Sequence, residues 1–201
     1  MKDRVEGAEE TIRAFVALDL DSMSARRLAR VAEHLRMATC APSANWTPPH
    51  KLHVTLRYVE KLPAGTVPQL ANALAAVVDR KRAPRPGLLR LEAFPSAAEA
   101  RVVVVELEDP TRALARMAGR VEQIVSRLGI PADRHAFRPH VTLARLKRPY
   151  DARRWLRPEL AADVGECCAV RLTLYRSILG SEGSTYDPLA RFDFVPNPAS
   201  P

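Results

Sequence analysis

Apolar residues recur along the chain at two periods, and the switches between them predict an ordered run of strands and helices. Residues 12–20 (IRAFVALDL) alternate and carry Phe and Val, which predicts a strand. Residues 22–38 then place Leu28, Val31, Ala32 and Leu35 at helical spacing, behind Asp21 or Ser22 as a cap. The Pro-containing link ANWTPPH leads into a predicted strand at 51–59. A helix follows at 66–80 on Leu70, Leu74, Val77 and Val78. KRAPRPG reads as a turn, and 88–94 as a strand.

The same order then starts again. Residues 101–107 read as a strand. A helix is expected over 110–128, opened by Asp109-Pro110 and closed by Gly129. Strand 139–146, a short helix near 151–162 interrupted by Pro158, strand 168–179, the turn GSEGST and strand 185–194 complete the chain. The prediction is β-α-β-α-β twice plus one strand, an α+β chain with no domain-sized linker. Residues 1–10 (MKDRVEGAEE) are charged and expected to fray.

Short sequences repeat along with the elements. HVTL occurs at His53–Leu56 and again at His140–Leu143, an offset of 87. Arg13, Val16 and Asp21 match Arg101, Val104 and Asp109 at an offset of 88. A looser match relates RLEAF at 90–94 to RLTLY at 171–175. Two diverged copies of one unit, at about 11–95 and 99–195, within a single bilobal domain account for these matches.

On a strand, His53 and Thr55 share one face while Val54 and Leu56 share the other, and His140/Thr142 and Val141/Leu143 divide in the same way. The apolar pairs suit a core beneath helices. The His/Thr pairs then line an open face, and a pseudo-twofold axis would bring them into one cleft. Two imidazoles across a cleft suit proton transfer in both directions, one taking a proton from an attacking oxygen and the other giving one to a leaving oxygen. Threonine hydroxyls and an arginine can hold phosphate oxygens. A strained cyclic phosphodiester fits such a site without a metal. A metal site fits poorly: His50 and His53 are three apart, His135 and His140 are five apart, and neither spacing puts two ligands on one strand face.

Composition changes little in this picture. The formal charge of +8 suits a polyanionic partner, but the arginines are scattered and arginine-rich coding would give the same number. No run is long and apolar enough to span a membrane, and no leader is expected. Cys40, Cys167 and Cys168 lack metal-ligand spacing and read as buried or idle thiols in a reducing, cytoplasmic setting.

RAFVALDL, WTPPHKLHVTLRYV, FRPHVTLARL and LYRSILGSEGSTYDPLARFDF together resemble the two-histidine phosphoesterase superfamily, in its branch of RNA 2′,3′-cyclic phosphodiesterases, also called 2′-5′ RNA ligases. The resemblance implies two antiparallel sheets lining a concave cleft with helices outside. It implies hydrolysis of RNA 2′,3′-cyclic phosphate ends to a 2′-phosphate, reversible 2′-5′ joining of tRNA-like halves, a monomer, and no metal or nucleotide cofactor. It implies His53 as the acid, His140 as the base, Thr55, Thr142 and Arg145 on the phosphate, and Tyr58 stacked on the terminal base. Arg145 and Tyr58 have the wrong strand parity for that face, so a bulge or strand end must turn them inward; packed in the core, Tyr58 would be an ordinary strand aromatic. The chain departs from the family where Tyr58-Val59-Glu60 replaces the common Phe-Leu-Gly, and where His50 stands in place of Glu or Asn. His34, His50 and His135 read as exposed, Trp46 as core and Trp155 as part of the short helix. Two other readings keep the same cleft: a phosphodiesterase for small cyclic phosphates, or a module that binds RNA ends without turnover.

Overall fold

The computed structural model describes residues 10–37, 44–156, 165–180 and 183–195. Eight strands and three helices appear in the order β1 (Thr11–Leu20), α1 (Ser22–Met37), β2 (Ala44–Trp46), β3 (His53–Pro63), α2 (Val67–Val78), β4 (Leu88–Phe94), β5 (Ala100–Leu107), α3 (Ala113–Arg127), β6 (His140–Tyr150), β7 (Ala169–Gly180) and β8 (Gly183–Asp193).

All named strand pairs are antiparallel. The sheet runs β4-β5-β6-β3-β1-β7-β8, with β2 also on β6. The expectation of two sheets is therefore corrected to one. The reason is a single residue pair: Val54 on β3 bridges Val141 on β6 and joins what would otherwise be two sheets. Without β8 and the short β2, the order reads the same from either end when β1, β3 and β4 are exchanged for β5, β6 and β7. Each sequence half also lends one strand to the other side, because β4 pairs with β5 and β7 with β1.

Strand alternation separates the faces. Ala14, Val16 and Leu18 of β1 join Val54, Val103, Val105, Val141, Leu172 and Leu174 in one core, which the helices cover. The helices bury Leu28, Val31, Ala32 and Leu35 of α1, Leu70, Leu74, Val77 and Val78 of α2, and Leu114, Met117, Val121 and Val125 of α3. Each such side chain contributes roughly 1.5–3 kcal/mol by leaving water. The opposite sheet face is left to polar and aromatic groups.

The caps explain the helix limits. The Asp21 carboxylate accepts the Ser24 N–H at 2.7 Å. α3 starts at Ala113, three residues later than the Asp109-Pro110 pattern predicts. Asp109 still caps it, accepting the N–H groups of Leu114 and Ala115 at 3.2 and 2.9 Å across a turn in which Arg112 is left-handed (φ 55°). Gly129, with φ 77°, closes the helix as expected. The sequence pattern does not reveal β2, because three residues are too short to show a period. At 153–155 there is a turn rather than helix, and Pro158 lies outside the described residues, as do residues 1–9 and Cys40. Trp155 is buried against Tyr150 and Trp46. His34, His50 and His135 are exposed.

One charged side chain is buried among the described residues. Arg57 is 8% exposed, pairs with Glu122 of α3 at 2.6 Å and Asp133 at 3.5 Å, and donates to the carbonyls of Pro131 and Tyr58 at 2.6 and 2.5 Å. It ties the loop ahead of β6 to the middle of β3. Arg57→Ala leaves two carboxylates without their cation and is expected to destabilise the fold by about 3 kcal/mol in urea unfolding; a change below about 0.5 kcal/mol would contradict this account.

Cys167 is buried, and burial pushes its thiol up to about 12. The native protein should therefore leave Cys167 unmodified by N-ethylmaleimide at pH 7.5, read by peptide mass mapping. Labelling as fast as in urea would refute this.

Candidate active site

The two HVTL segments open β3 and β6 and run antiparallel through the Val54–Val141 pair. Val54 and Val141 face the core at 1% and 0% exposure, so His53, Thr55, His140 and Thr142 occupy the other face, half-buried. The antiparallel register sets each histidine beside the threonine of the other strand.

A bulge in each strand supplies the parity change that Arg145 and Tyr58 require. On β3, Thr55 pairs with Ala17 and Arg57 with Val16, so Leu56 is an extra residue. On β6, Thr142 pairs with Val104 and Ala144 with Val103, so Leu143 is extra. Both leucines are buried in the core. Tyr58 and Arg145, two residues past the bulged leucines, rejoin the histidine face. Tyr58 is 43% exposed, so it is not a core aromatic.

The histidines are held alike. His53 Nδ1–H donates to the Lys51 carbonyl at 2.7 Å, and His140 Nδ1–H to the Arg138 carbonyl at 2.7 Å. A carbonyl can only accept, so each neutral ring presents Nε2 as an acceptor. His53 Nε2 lies 3.1 Å from Thr55 Oγ1. His53 stacks on Phe15 at 5.0 Å, with Tyr186 edge-on at 5.6 Å, and Phe94 meets His140 edge-on at 5.7 Å.

Three open cavities adjoin these groups. One of about 440 Å³ contains His53, Thr55, Tyr58 and Arg145. A second of about 560 Å³ contains Thr55, Tyr58, Arg138 and His140. The third, of about 880 Å³, extends from His53 past His50 and Lys51 to Arg171 and Arg191. Thr55 and Tyr58 are shared by the first two and form the boundary between the histidines. Thr142 lies on the same strand face as His140 without lining these three. No group of three or more His, Cys, Asp or Glu among the described residues is placed to hold a metal ion.

Several site residues are not evident from sequence. Phe15, Tyr175 and Tyr186 pack around His53, while Phe94 and Arg138 flank His140. Asp19 lies opposite His53 in register, and Glu106 lies opposite His140. A signal for the acids is present: Asp19 and Glu106 are 87 positions apart, the HVTL offset, whereas the strand match reads at 88.

Burial lowers the basicity of both imidazoles. At His53, the Lys51 carbonyl and Asp19 oppose that effect, while Arg145 and His140 add to it. At His140, the Arg138 carbonyl opposes it, Arg138 and Arg145 add to it, and Glu106 opposes it more weakly. Both titration midpoints are expected below the ordinary 6.5 in an NMR titration of the ring protons. The unfolded chain then binds protons that the folded chain refuses. This contribution to stability is full above pH 6.5 and is lost as pH falls through the folded midpoints. A midpoint above 6.5 for either ring in the free protein would contradict this.

An antiparallel α+β sheet with two imidazoles on its open face defines the fold and site of a two-histidine phosphoesterase. A family model described as 2'-5' RNA ligase superfamily matches residues 23–177. A relative from Aeropyrum pernix named RNA 2′,3′-cyclic phosphodiesterase is 32% identical over 140 residues, covering 68% of this chain and 78% of the relative. One of the same name from Aquifex aeolicus is 24% identical, over 91% of this chain and 97% of the relative. A crystal structure of a Thermus thermophilus protein superposes with a TM-score of 0.75 at 25% identity, covering 91% of this chain and 98% of that one. The chain belongs to the 2'-5' RNA ligase superfamily.

Proposed function

We propose that this protein opens 2′,3′-cyclic phosphate ends of RNA to a 2′-phosphate. The observation that carries the reading is the pair of imidazoles, each fixed through Nδ1 by a carbonyl two residues earlier, beside a cleft that also holds Arg145. The relatives named RNA 2′,3′-cyclic phosphodiesterase support the substrate.

In the proposed reaction His140 takes a proton from water as it attacks phosphorus. His53 gives a proton to the departing 3′ oxygen as the ring opens. Arg145, Thr55 and Thr142 hold the nonbridging oxygens, and Arg145 offsets charge that builds on them. Tyr58 offers a ring face to the terminal base. No metal or nucleotide cofactor is required, since the strained ring lowers the barrier and both proton transfers fall to side chains. With a ribose 5′-hydroxyl attacking phosphorus in place of water, the same site joins tRNA-like halves by a 2′-5′ bond as the 3′ oxygen departs, and the reverse of that step reopens the bond to the cyclic phosphate. The reading also takes the chain as one cytoplasmic, monomeric domain built from two copies, at about 11–95 and 99–195, which the palindromic strand order supports.

The test uses a short RNA ending in a 2′,3′-cyclic phosphate, incubated with excess chelator. The wild type is expected to leave a 2′-phosphate. His53→Ala and His140→Ala should each lower kcat/KM at least ~100-fold, while cyclic mononucleotides serve as competing substrates. Full activity in either variant removes the two-histidine mechanism. An unchanged RNA end with rapid turnover of the mononucleotide moves the substrate to small cyclic phosphates, and salt-sensitive binding with no turnover leaves an RNA-end binding module.

A further inference from the structure

The two halves place an acid opposite each histidine but surround it differently. Asp19 on β1 faces His53, and its oxygens accept hydroxyls from Thr173 and Tyr175, each at 2.8 Å. Both donors are neutral, so the carboxylate keeps its full charge. Glu106 on β5 faces His140 and pairs with two cations, Arg90 at 2.7 Å and Arg138 at 3.0 Å.

Two cations that register with Asp19 or His53 point elsewhere, while a third, Arg191 of β8, lines the same cavity as Asp19 and acts on Tyr175. Arg171 on β7 stands opposite Asp19, as Arg90 on β4 stands opposite Glu106. Arg171 turns instead to Asp193, at 3.0 Å. Lys51 precedes His53 by two residues, as Arg138 precedes His140. Its ammonium donates to the Ser184 carbonyl at 3.1 Å and sits 5.7 Å above the Tyr186 ring. Asp193, Ser184 and Tyr186 all belong to β8, which like the short β2 has no counterpart when the halves are exchanged.

We propose that β8 diverts Arg171 and Lys51 from Asp19, and that the unneutralised Asp19 holds the proton on His53, making it the acid of the pair, while Glu106, already bound to two arginines, leaves His140 as the base. Asp19 is thus a positioning residue that acts through His53. This rests on the two-histidine reading above.

The other groups facing the rings do not cancel the difference. His53 meets Arg145 and His140 of β6, Tyr175 of β7 and Tyr186 of β8, and its cavity also holds Arg171 of β7 and Arg191 of β8. His140 meets Phe94 of β4, Glu106 of β5, and Arg138 and Arg145. Arg145 acts on both rings. Burial is the largest effect on both rings and disfavours the proton on each; among the charges, the largest on His53 comes from Asp19 and favours the proton, whereas the two largest on His140 come from Arg138 and Arg145 and oppose it. Glu106→Gln would change two ion pairs at once, so the cleaner probes lie on the Asp19 side.

The experiment combines the pH profile of kcat/KM on the cyclic-phosphate RNA with NMR titration of the two imidazoles. Asp19→Asn keeps a polar partner for Thr173 and Tyr175 while removing the charge. It should move the alkaline limb, set by the acid, down by ~0.5–1 pH unit and leave the acidic limb in place. Asp193→Asn, outside the cleft, should release Arg171 toward Asp19 and move the same limb the same way by a smaller amount. In the titration the His53 midpoint should lie above that of His140 in the wild type and fall selectively in both variants. A shift of the acidic limb, a His53 midpoint below that of His140, or unmoved midpoints in well-folded Asp19→Asn protein would each overturn the proposal. The titration needs no turnover, so inactivity on RNA would refute the proposed reaction while the charge asymmetry is still decided.

Discussion

Everything at the open face depends on one antiparallel residue pair, Val54 with Val141. Both side chains point into the core, so the residues before and after them must point out. A second contact of this kind would flatten the junction into ordinary sheet, and none at all would leave the polar pairs on separate surfaces. The halves are secured by exchange, since β4 completes the side that carries β5 and β6, and β7 the side that carries β1 and β3. Neither half can leave without taking a strand from the other, so a weak central ladder suffices.

Parity imposes the next condition. A regular strand from His53 or His140 offers the cleft only every second residue, and the fifth residue on would face the helices. Each bulge resolves this with a leucine anchored in the core, and the chain beyond returns to the open face. Arg57 stabilises the turned segment from the helix side, where its neighbours Glu122 and Asp133 lie. The residue that carries the charge inside the core, Arg57, and the residue that faces substrate in the proposed reaction, Tyr58, are adjacent in sequence because regular alternation resumes beyond the bulge.

Much of this was legible in the sequence because period and repeat are local properties. The helical spacing on α1 and α2, the alternation on β1 and the duplicated HVTL need no knowledge of what packs on what. The start of α3 differs from the pattern because Asp109 caps from five and six residues away, a reach that no short motif encodes. The wrong parity of Arg145 and Tyr58 was readable as a need for a bulge, but its position was set by pairing with β5 and β1. The central join that makes one sheet of two was invisible, since it rests on a single residue pair between strands far apart in the chain. No local pattern sets Asp19 and Glu106 against the histidines; the strand register does that.

A symmetric scaffold performing hydrolysis by the proposed route must still treat its two sides differently, because attack consumes a base and departure requires an acid. The framework itself gives both imidazoles the same carbonyl partner and the same strand position. The asymmetry therefore has to come from groups outside the repeated frame, and β8, which engages Lys51 and Arg171, lies outside it. Its contribution need not touch the reacting atoms: holding two cations a few ångströms away from Asp19 is enough, because a carboxylate bound by hydroxyls keeps the charge that one bound by guanidinium groups shares. On this argument, a terminal hairpin strand that looks peripheral in the topology gives the two histidines different roles.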